Sequence, residues 1–421
     1  MIQEFTIENT FSIKTAQTIS FEAADTHLDD IHYCSIPTEK KLLKLAAIYG
    51  PNASGKTNII NALNFYFQFV LYSFSSLSPN ERTGFIPFMF DASTQKMPGR
   101  FELKFYIENI KYEYAISLDK QYVHTETLFS SPKGQRKLLY ERKFTEKGNA
   151  PYEWKWGDNL TGDKKKIAES TRGNTTFLNT AAQFAHPELS KIHKWMTSIY
   201  FPPIYPLPQG LARYTIDCIE ENKKMKSNII NFLAHSDFGH INDIVIEEQE
   251  LPDSFVNRLS QKAKAELQNP QGKYTTKSVS FLHSYEKSYG LPLELESRGT
   301  QRFFELAGPL FELLESSKLL CIDELESSLH QELTEFFLKT FLENSTCSQM
   351  LFTTHNLDLL DSELLTDDGV WFAEKAEDGG SEYSSIIEYK GIRKKVSRKK
   401  LYKAGKFGAI PIVSDFSVEY K

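Results

Sequence analysis

Apolar positions along the 421-residue chain recur with two different periods, which predict where strands and helices lie. Near the start, Ile7–Ser12 and Thr18–Phe21 alternate apolar and polar residues, as strands with one buried face do. Lys44–Ile48 is a short apolar run that leads directly into a glycine-rich turn. From Ile59 to Leu71, apolar residues recur at helical spacing. The first part of the chain therefore predicts strand, loop and helix in succession.

A second region of alternation extends from Arg100 to Lys143 and predicts an antiparallel meander beside the first strands. Residues 144–175 are rich in Lys, Gly, Asp and Asn, which predicts a loop or an edge hairpin. Helical patterns dominate from about residue 176 to 285, and sustained heptads are missing there. We therefore expect an inserted helical domain rather than long coiled-coil arms.

After residue 290 the pattern predicts a helix from about Thr300, a strand at Leu319–Ile322, a helix from about Ser328 and a strand at Met350–Thr353. A basic tail follows. We expect three parts, with boundaries at 1–143 for an N-terminal lobe, 144–290 for a loop and helical insertion, and 291–421 for a C-terminal lobe.

Composition narrows the class of protein. Apolar residues make up 40% of the chain, charged residues 25%, and the mean hydropathy is -0.40, which is typical of a folded, water-soluble protein. No apolar run is long enough for a transmembrane helix, and the first twenty residues lack the features of a secretion signal. We therefore expect a cytoplasmic protein without a membrane partner.

Cysteines and charge exclude some kinds of site. Cys34, Cys218, Cys321 and Cys347 are too scattered for metal-ligand spacing, and we expect them to be buried thiols. The net charge of -6 argues against a surface that coats nucleic acid, although it leaves room for a local basic patch.

One segment carries a strong chemical signal. Gly50 to Thr57 reads GPNASGKT and matches the phosphate-loop pattern GxxxxGK[ST] between a predicted strand and a predicted helix. In such a loop, backbone N–H groups surround the phosphates, Lys56 reaches the β and γ phosphates, and the Thr57 hydroxyl holds Mg²⁺. A glycine-rich turn that matched the pattern by chance would not need a strand before it and a helix after it. The residues expected to bind ATP are Gly50, Pro51, Asn52, Ala53, Ser54, Gly55, Lys56, Thr57 and Asn58.

Two adjacent carboxylates follow the apolar run Leu319–Ile322. Asp323 would support Mg²⁺ through water, and Glu324 would polarise the attacking water as a general base. An apolar strand that ends in two acids also occurs without any catalytic role. The phosphate loop upstream favours the catalytic interpretation.

Two further segments of the chain resemble motifs that accompany a phosphate loop in ABC-type ATPases. Ser297, Gly299, Thr300 and Gln301 open a predicted helix ahead of the acids and resemble the ABC signature, which faces the γ-phosphate held by another subunit. His355 follows the next predicted strand and resembles the switch histidine that senses that phosphate. A histidine in such a place is often only structural, but an imidazole can also report phosphate and water by hydrogen bonding.

With these motifs in this order, the chain resembles the small ABC/SMC-like proteins called AAA family ATPases, found in prokaryotic anti-phage and abortive-infection systems such as AbiLi and PARIS. The resemblance covers nearly the full length. It is carried by FTIENTFSIK, GPNASGKT, IPFMF at 86–90, ESRGTQRF at 296–303, IDELESSLH at 322–330, TTHN at 353–356 and YKAGKFGAIP at 402–411. IPFMF has no glutamine, so a Q-loop residue cannot be assigned.

The resemblance implies an α/β fold, an ABC/SMC-like P-loop NTPase head with a mixed sheet, flanking helices, an antiparallel β subdomain and an inserted helical domain. It implies an ATPase that uses ATP and Mg²⁺ and forms a homodimer or larger oligomer, with the signature acting in trans. It further implies a sensor or gate for an effector encoded nearby, expected to be a nuclease, with nucleic acid or a phage component as the trigger.

Other functions remain open at this stage. A DNA-repair ATPase head of the RecF or SMC kind would share the fold, but its SMC members need a long coiled coil. An ABC transporter motor would have a clear LSGGQ and Q-loop. A nuclease of the overcoming-lysogenisation type would need a Toprim domain, and only 66 residues follow His355.

A basic run extends from Lys390 to Lys406 without an acidic residue. It contains Lys390, Arg393, Lys394, Lys395, Arg398, Lys399, Lys400, Lys403 and Lys406. Such a run could attract nucleic acid or an acidic protein surface, or it could be a solvated helix face.

Overall fold

Backbone hydrogen bonds define strands β1 to β17 and helices α1 to α11 in the residues that the computed structural model describes, which are 1–24, 30–35, 41–145, 152–206, 210–238, 240–269, 271–391 and 396–410. The strands are β1 (Ile2–Glu8), β2 (Gln17–Ser20), β3 (Tyr33–Ser35), β4 (Lys41–Leu43), β5 (Leu45–Tyr49), β6 (Gly99–Ile107), β7 (Ile110–Leu118), β8 (Val123–Ser131), β9 (Lys137–Phe144), β10 (Tyr152–Trp156), β11 (Ile241–Glu250), β12 (Thr275–Ser284), β13 (Ser288–Pro292), β14 (Leu319–Ile322), β15 (Gln349–Thr353), β16 (Val370–Lys375) and β17 (Ser381–Ser385). The helices are α1 (Lys56–Ser76), α2 (Lys164–Glu169), α3 (Phe177–Gln183), α4 (Pro187–Ile199), α5 (Leu211–Glu221), α6 (Lys223–Ala234), α7 (Asp253–Val256), α8 (Gln261–Leu267), α9 (Arg298–Glu315), α10 (Gln331–Asn344) and α11 (Arg398–Lys403).

The chain divides into two compact units that interleave along the sequence. The first consists of Met1–Pro206, Ser316–Leu325 and Leu342–Lys421, and the second of Leu207–Glu315 and Glu326–Phe341. These bounds differ from the expected divisions at 143/144 and 290/291. Residues 152–206 belong to the first unit because β10 pairs with β9 and α3 and α4 pack against α1.

A five-stranded sheet in the order β14-β15-β5-β16-β17 forms the centre of the first unit. β14, β15, β5 and β16 are parallel, and β17 runs antiparallel at the edge. Every residue of β5, β14 and β15 is buried, which explains why these strands read as continuous apolar runs rather than as alternating ones. The predicted strands at Lys44–Ile48, Leu319–Ile322 and Met350–Thr353 are confirmed within one residue at each end.

Helix α1 follows β5 directly and is longer than the pattern predicted, since it extends over Lys56–Ser76. Its predicted apolar stripe is buried, including Ile59, Leu63, Phe67 and Val70. Burial of one wide face over 21 residues fixes the helix in the core. The start of α1, with the phosphate loop, is therefore held in a defined position.

A seven-stranded antiparallel sheet in the order β10-β9-β8-β7-β6-β1-β2 also belongs to the first unit, and β3 and β4 form a separate two-stranded sheet there. The predicted meander from Arg100 to Lys143 is confirmed, and β10 pairs with β9 in the predicted edge hairpin. The segment 144–175 also contains helix α2, which its composition did not predict. The prediction of a strand at Ile7–Ser12 is wrong. β1 ends at Glu8 because Asn9 and Phe11 both take a φ of 51° and turn the chain.

A fully buried ion pair joins this sheet to α3. Arg142 Nε lies 2.8 Å from Glu126 Oε2, and both side chains are 0% exposed. Glu126 also accepts hydrogen bonds from the hydroxyls of Tyr114 and Tyr140 and from the backbone N–H of Phe177 at the start of α3. Burial, reinforced by the Glu126 charge, raises the pKa of both tyrosines. The carboxylate thus receives enough donors to be stable without water.

The second unit contains helices α5 to α9 and most of α10, together with a three-stranded antiparallel sheet in the order β11-β12-β13. The helical pattern between 176 and 285 did not predict this sheet. The expected helix from about Ser328 begins instead at Gln331, since Ser328 has a φ of 63°. Among the helices that the structure describes, none combines the length and the apolar content needed to cross a lipid bilayer.

Three cysteines correct the expectation of four buried thiols. Cys218 is a free thiol, but it is only partly buried. Cys34 and Cys347 form a disulfide between residues 313 positions apart, with their Cα atoms 5.6 Å apart. Only the folded chain brings β3 next to the loop that precedes β15, so spacing in the sequence could not reveal the pair. Cys321 is a buried thiol, as predicted, and burial raises its pKa to about 12.

Candidate functional site

The loop between β5 and α1 needs glycine at two positions because neighbouring strands approach it closely. A Cβ at Gly50 would lie 2.4 Å from the carbonyl oxygen of Ala373 in β16, and one at Gly55 would lie 2.2 Å from Ser381 Oγ in β17. Gly50 and Gly55 also have φ values of 154° and 107°. These contacts explain why the phosphate-loop pattern requires glycine at positions 50 and 55.

Lys56 begins α1 and is 7% exposed. Its ammonium donates to the backbone carbonyls of Gly50 at 3.0 Å and Pro51 at 3.1 Å. The side chain therefore folds back over the phosphate loop. The backbone N–H groups of this loop are the ones expected to bind the phosphates. A cation held in this place lies where phosphate charge would be stabilised.

Three side chains meet where β14 and β15 end beside α1. Thr57 Oγ1 lies 3.0 Å from each carboxylate oxygen of Asp323, and Thr353 Oγ1 donates to Asp323 Oδ1 at 2.7 Å. Asp323 is 5% exposed. Hydroxyl and carboxylate oxygens are the ligands that Mg²⁺ prefers, and Mg²⁺ uses few protein ligands together with nucleotide phosphates. Thr57 and Asp323 therefore fit the expected metal.

Among the residues that the structure describes, no group of three or more His, Cys, Asp and Glu side chains gathers in a way that could hold a metal by itself.

Glu324 and His355 line the same cavity as the phosphate loop, which has a volume of about 520 Å³. Glu324 has a φ of 49°, and its backbone N–H donates to Thr353 Oγ1 at 2.8 Å. His355 is exposed. The structure thus brings together Lys56, Thr57, Glu324 and His355, which are far apart in the sequence.

Thr353 is a further residue of the site, and its place in the TTHN motif does not by itself indicate a role. Its hydroxyl donates to Asp323 and accepts from the Glu324 N–H, so one side chain fixes both acids. The signal was present in the sequence, because Thr353 places a hydroxyl at the end of an apolar strand, two residues before His355. What the sequence could not show is that β15 lies between β5 and β14.

Other residues at the cavity were also missed. Ser12 Oγ accepts from Asn58 Nδ2 at 2.7 Å and shares a hydrogen bond of 2.7 Å with Ser381 Oγ, while the Tyr383 hydroxyl donates to the Gly55 carbonyl. Isolated serines and tyrosines carry no recognisable motif. They hold the loop against the first turn of the chain and β17.

The segment IPFMF reaches the same cavity. Met89 and Phe90 line it, and Phe90 is 73% exposed, with the Lys375 ammonium 5.8 Å from the centre of its ring. The segment supplies aromatic and apolar surface rather than a glutamine, so the Q-loop residue stays unassigned.

The signature residues belong to the second unit, whereas the phosphate loop belongs to the first. Ser297 caps α9, since its Oγ accepts from the Thr300 N–H at 3.1 Å. The Gln301 side chain donates to the backbone carbonyls of Glu294 and Glu296. A Cβ at Gly299 would lie 3.3 Å from the Ser328 carbonyl oxygen. The four residues thus form one well-defined helix start.

A phosphate loop whose Thr57 binds Asp323, together with Glu324 and His355 at the same cavity as the loop, defines a P-loop NTPase. The parallel sheet with an adjoining antiparallel sheet makes it one of the ABC/SMC type. The chain belongs to the family described as "AAA domain, putative AbiEii toxin, Type IV TA system", whose model matches residues 45–361. No curated protein sequence matches the chain.

Solved structures similar to this chain include SMC heads. A crystal structure of an SmcHead bound to the C-winged helix domain of ScpA has a TM-score of 0.45 and 11% identity, covering 91% of this chain and 97% of that one. The SMC head domain from Thermotoga maritima has a TM-score of 0.41 and 14% identity, covering 91% and 98%.

Proposed function

We propose that the protein binds and hydrolyses ATP with Mg²⁺. The observation that carries the proposal is the arrangement of Thr57, Asp323 and Thr353, which ties the end of the phosphate loop to the strand that bears the acids. Lys56 would bind the β and γ phosphates, and Thr57 and Asp323 would hold Mg²⁺, which when bound neutralises charge on the phosphate oxygens. Glu324 would accept a proton from the attacking water.

His355 would hydrogen-bond to the γ-phosphate or to that water, since its side chain lines the same cavity as Glu324. Thr353 would keep the Glu324 backbone in its left-handed conformation and so aim the carboxylate. Catalysis would depend on placing a charged lysine, an acid and an imidazole around one phosphate.

Turnover measurements test this proposal directly. Glu324→Gln should keep ATP binding and lower hydrolysis by orders of magnitude, because an amide cannot accept the proton. Lys56→Ala should instead weaken nucleotide binding itself. Glu377→Gln changes an exposed acid outside the cavity and serves as the matched control. Wild-type turnover in the Glu324 and Lys56 variants would refute the proposal.

We also propose that the active site is shared between two copies of the chain, with Ser297 and Gly299 of one copy reaching the γ-phosphate bound at Lys56 of the other. Support comes from the helix start that Ser297 caps, because the N-terminus of an eighteen-residue helix favours an anion.

The remaining part of the proposal concerns biology. We infer that ATP-driven closure of such a dimer makes the protein a cytoplasmic sensor or gate for a partner effector in anti-phage defence, expected to be a nuclease, with nucleic acid or a phage component as trigger. The family description, which names a toxin and a type IV TA system, supports a partner of this kind. Co-expression with the product of the adjacent gene, followed by pull-down and phage challenge, tests it.

A further inference from the structure

The loop that follows His355 is held by the C-terminal helix α11. Arg398 Nη1 donates to the backbone carbonyls of Leu360 at 3.0 Å and Leu365 at 2.9 Å. The Nε of the same side chain lies 2.7 Å from Asp367 Oδ1. One guanidinium therefore binds three points of the loop, which matches the several donors that arginine offers in a fixed geometry.

Two neighbours of Arg398 add contacts to the same loop. Ser397 Oγ donates to Asp361 Oδ2 at 2.5 Å, and the Lys399 N–H donates to Asp361 Oδ1 at 3.2 Å. The Lys399 ammonium pairs with Asp358. Part of the basic run is thus neutralised within the chain, by acids that lie three and six residues after His355. Arg393 to Lys395 of that run lie outside the described residues.

Hydrogen bonds made by Thr354 and Asn356 hold the chain on both sides of His355. Asn356 Oδ1 accepts from the Asp358 N–H at 3.0 Å and caps the 3₁₀ turn Leu357–Asp361. Thr354 Oγ1 accepts from the Asn356 N–H at 3.0 Å, and the Thr354 N–H donates to the Ile48 carbonyl of β5. His355 therefore stands between a residue anchored on the central sheet and a turn anchored on α11.

A second cavity places α11 next to the phosphate loop. Its volume is about 380 Å³, and its walls include Pro51 and Asn52 of the loop, His355, and Tyr402 of α11. Tyr402 is 5% exposed, and its ring stacks on Phe372 of β16 with 5.6 Å between centres. α11 is therefore packed against the core and can transmit its position to the site.

We propose that α11 positions His355 for the hydrolysis proposed above, with Arg398 and Lys399 fixing the loop 357–367. The inference rests on that proposed function. Arg398 and Lys399 do not line the nucleotide cavity, so they act through His355 as positioning residues. Loss of the contact should lower the rate of the chemical step while ATP binding, which depends on the phosphate loop, is retained.

Charge exchange at Lys399 and Asp358 tests the proposal. Both side chains are partly exposed, so their substitution should not unfold the protein. Lys399→Glu should lower kcat roughly tenfold, the effect of losing about 1.4 kcal/mol of transition-state stabilisation. Its Kd for a fluorescent ATP analogue should stay within about twofold of wild type. Adding Asp358→Lys should restore kcat. Lys400→Glu, on the exposed side of the same helix, should leave kcat unchanged.

A double-mutant cycle identifies the route of the effect. In a His355→Ala background, Lys399→Glu should cause no further loss, because the residue through which it acts is gone. Additive losses, failure of the exchanged pair to recover, or an equal loss in Lys400→Glu would overturn the inference. If Lys56→Ala is inactive while Lys399→Glu turns over normally, the inference alone fails. If Lys56→Ala hydrolyses ATP like wild type, the proposed function fails first.

Discussion

Thr57 Oγ1 lies 3.0 Å from both carboxylate oxygens of Asp323, although the two residues are 266 positions apart in the chain. The contact joins the first turn of α1 to the end of β14. β15 lies between β14 and β5, and its last residue, Thr353, binds the same carboxylate. The geometry of the acids therefore depends on three separate segments of the sequence.

Replacing Thr353 by valine should reduce hydrolysis while ATP binding persists. Valine keeps the shape but removes the hydroxyl that binds Asp323 and the Glu324 N–H. Loss of a hydrogen bond to a charged group costs about 1.5–3 kcal/mol, which corresponds to roughly a 10- to 150-fold decrease in kcat. Steady-state kinetics over a range of Mg²⁺ concentrations measures it. Thr353→Ser retains the hydroxyl and should remain active, and an inactive serine variant would contradict the assignment.

Mixing two inactive chains should recover activity if the site is shared. Lys56→Ala removes the phosphate-binding lysine, and Ser297→Arg blocks the signature at the start of α9. A mixed dimer would contain up to one intact site, so hydrolysis should appear on mixing, and light scattering should show ATP-dependent dimers. A strictly monomeric protein with full activity at every concentration would exclude the shared site.

Breaking the buried pair of Glu126 and Arg142 should destabilise the first unit. Glu126→Gln leaves a buried guanidinium without its counter-charge, which typically costs about 3–5 kcal/mol. The Trp154 ring makes an edge-to-face contact with Phe177 and lies beside the Arg142 guanidinium, so its fluorescence during urea unfolding can follow the loss. Glu141→Gln disrupts only the exposed pair with Lys155 and should cost less than about 1 kcal/mol. If the two variants had equal free energies of unfolding, the buried pair would contribute no more to stability than the exposed one.

Stability should decrease as the pH falls below about 6.5, in part because of His186. Burial lowers its pKa from 6.5, and its Nδ1 accepts from the Leu189 N–H as the cap of α4. Between the lowered pKa and 6.5 the unfolded chain binds more protons than the folded one, so stability is lost as pH falls through this range. His186→Asn keeps a cap that does not titrate and should flatten the dependence of Tm on pH. His235→Asn, at an exposed histidine, should leave the dependence unchanged.

Charge reversal can separate partner binding from the internal role of the basic run. Lys400, Lys403 and Lys406 are exposed, whereas Arg398 and Lys399 bind the loop after His355. If the run contacts the effector or its trigger, changing the three exposed lysines to Glu should abolish pull-down of the adjacent gene product and protection against phage, with hydrolysis intact. Unchanged pull-down and protection would make these lysines a solvated face. Metal-dependent cleavage of nucleic acid by the purified chain alone would contradict the proposal that the nuclease is a separate effector.

Motifs and periodicity predicted much of the first unit, because β5, β14 and β15 are continuously buried and much of β6 and β8 alternates between buried and less buried residues. Predictions failed where tertiary context decides the local structure. Asn9 is held in its turn by bonds to the distant carbonyls of Thr94 and Met97, and Cys34 finds Cys347 only after folding. The sheet β11-β12-β13 was missed because much of β11 is exposed and charged, so hydrophobic alternation is weak there.

The order of strands in the central sheet also determines when the phosphate loop can fold during synthesis of the chain. β5 leads into the phosphate loop, but its two neighbours, β15 and β16, are made about three hundred residues later. At about 5–20 residues per second, a ribosome needs roughly 15–60 s to supply them. Throughout that interval the nascent chain carries the complete GPNASGKT segment without the strands that shape it. We therefore expect N-terminal fragments that contain the motif not to bind nucleotide. ATP should bind only after β15 and β16 have been synthesised and have joined the sheet.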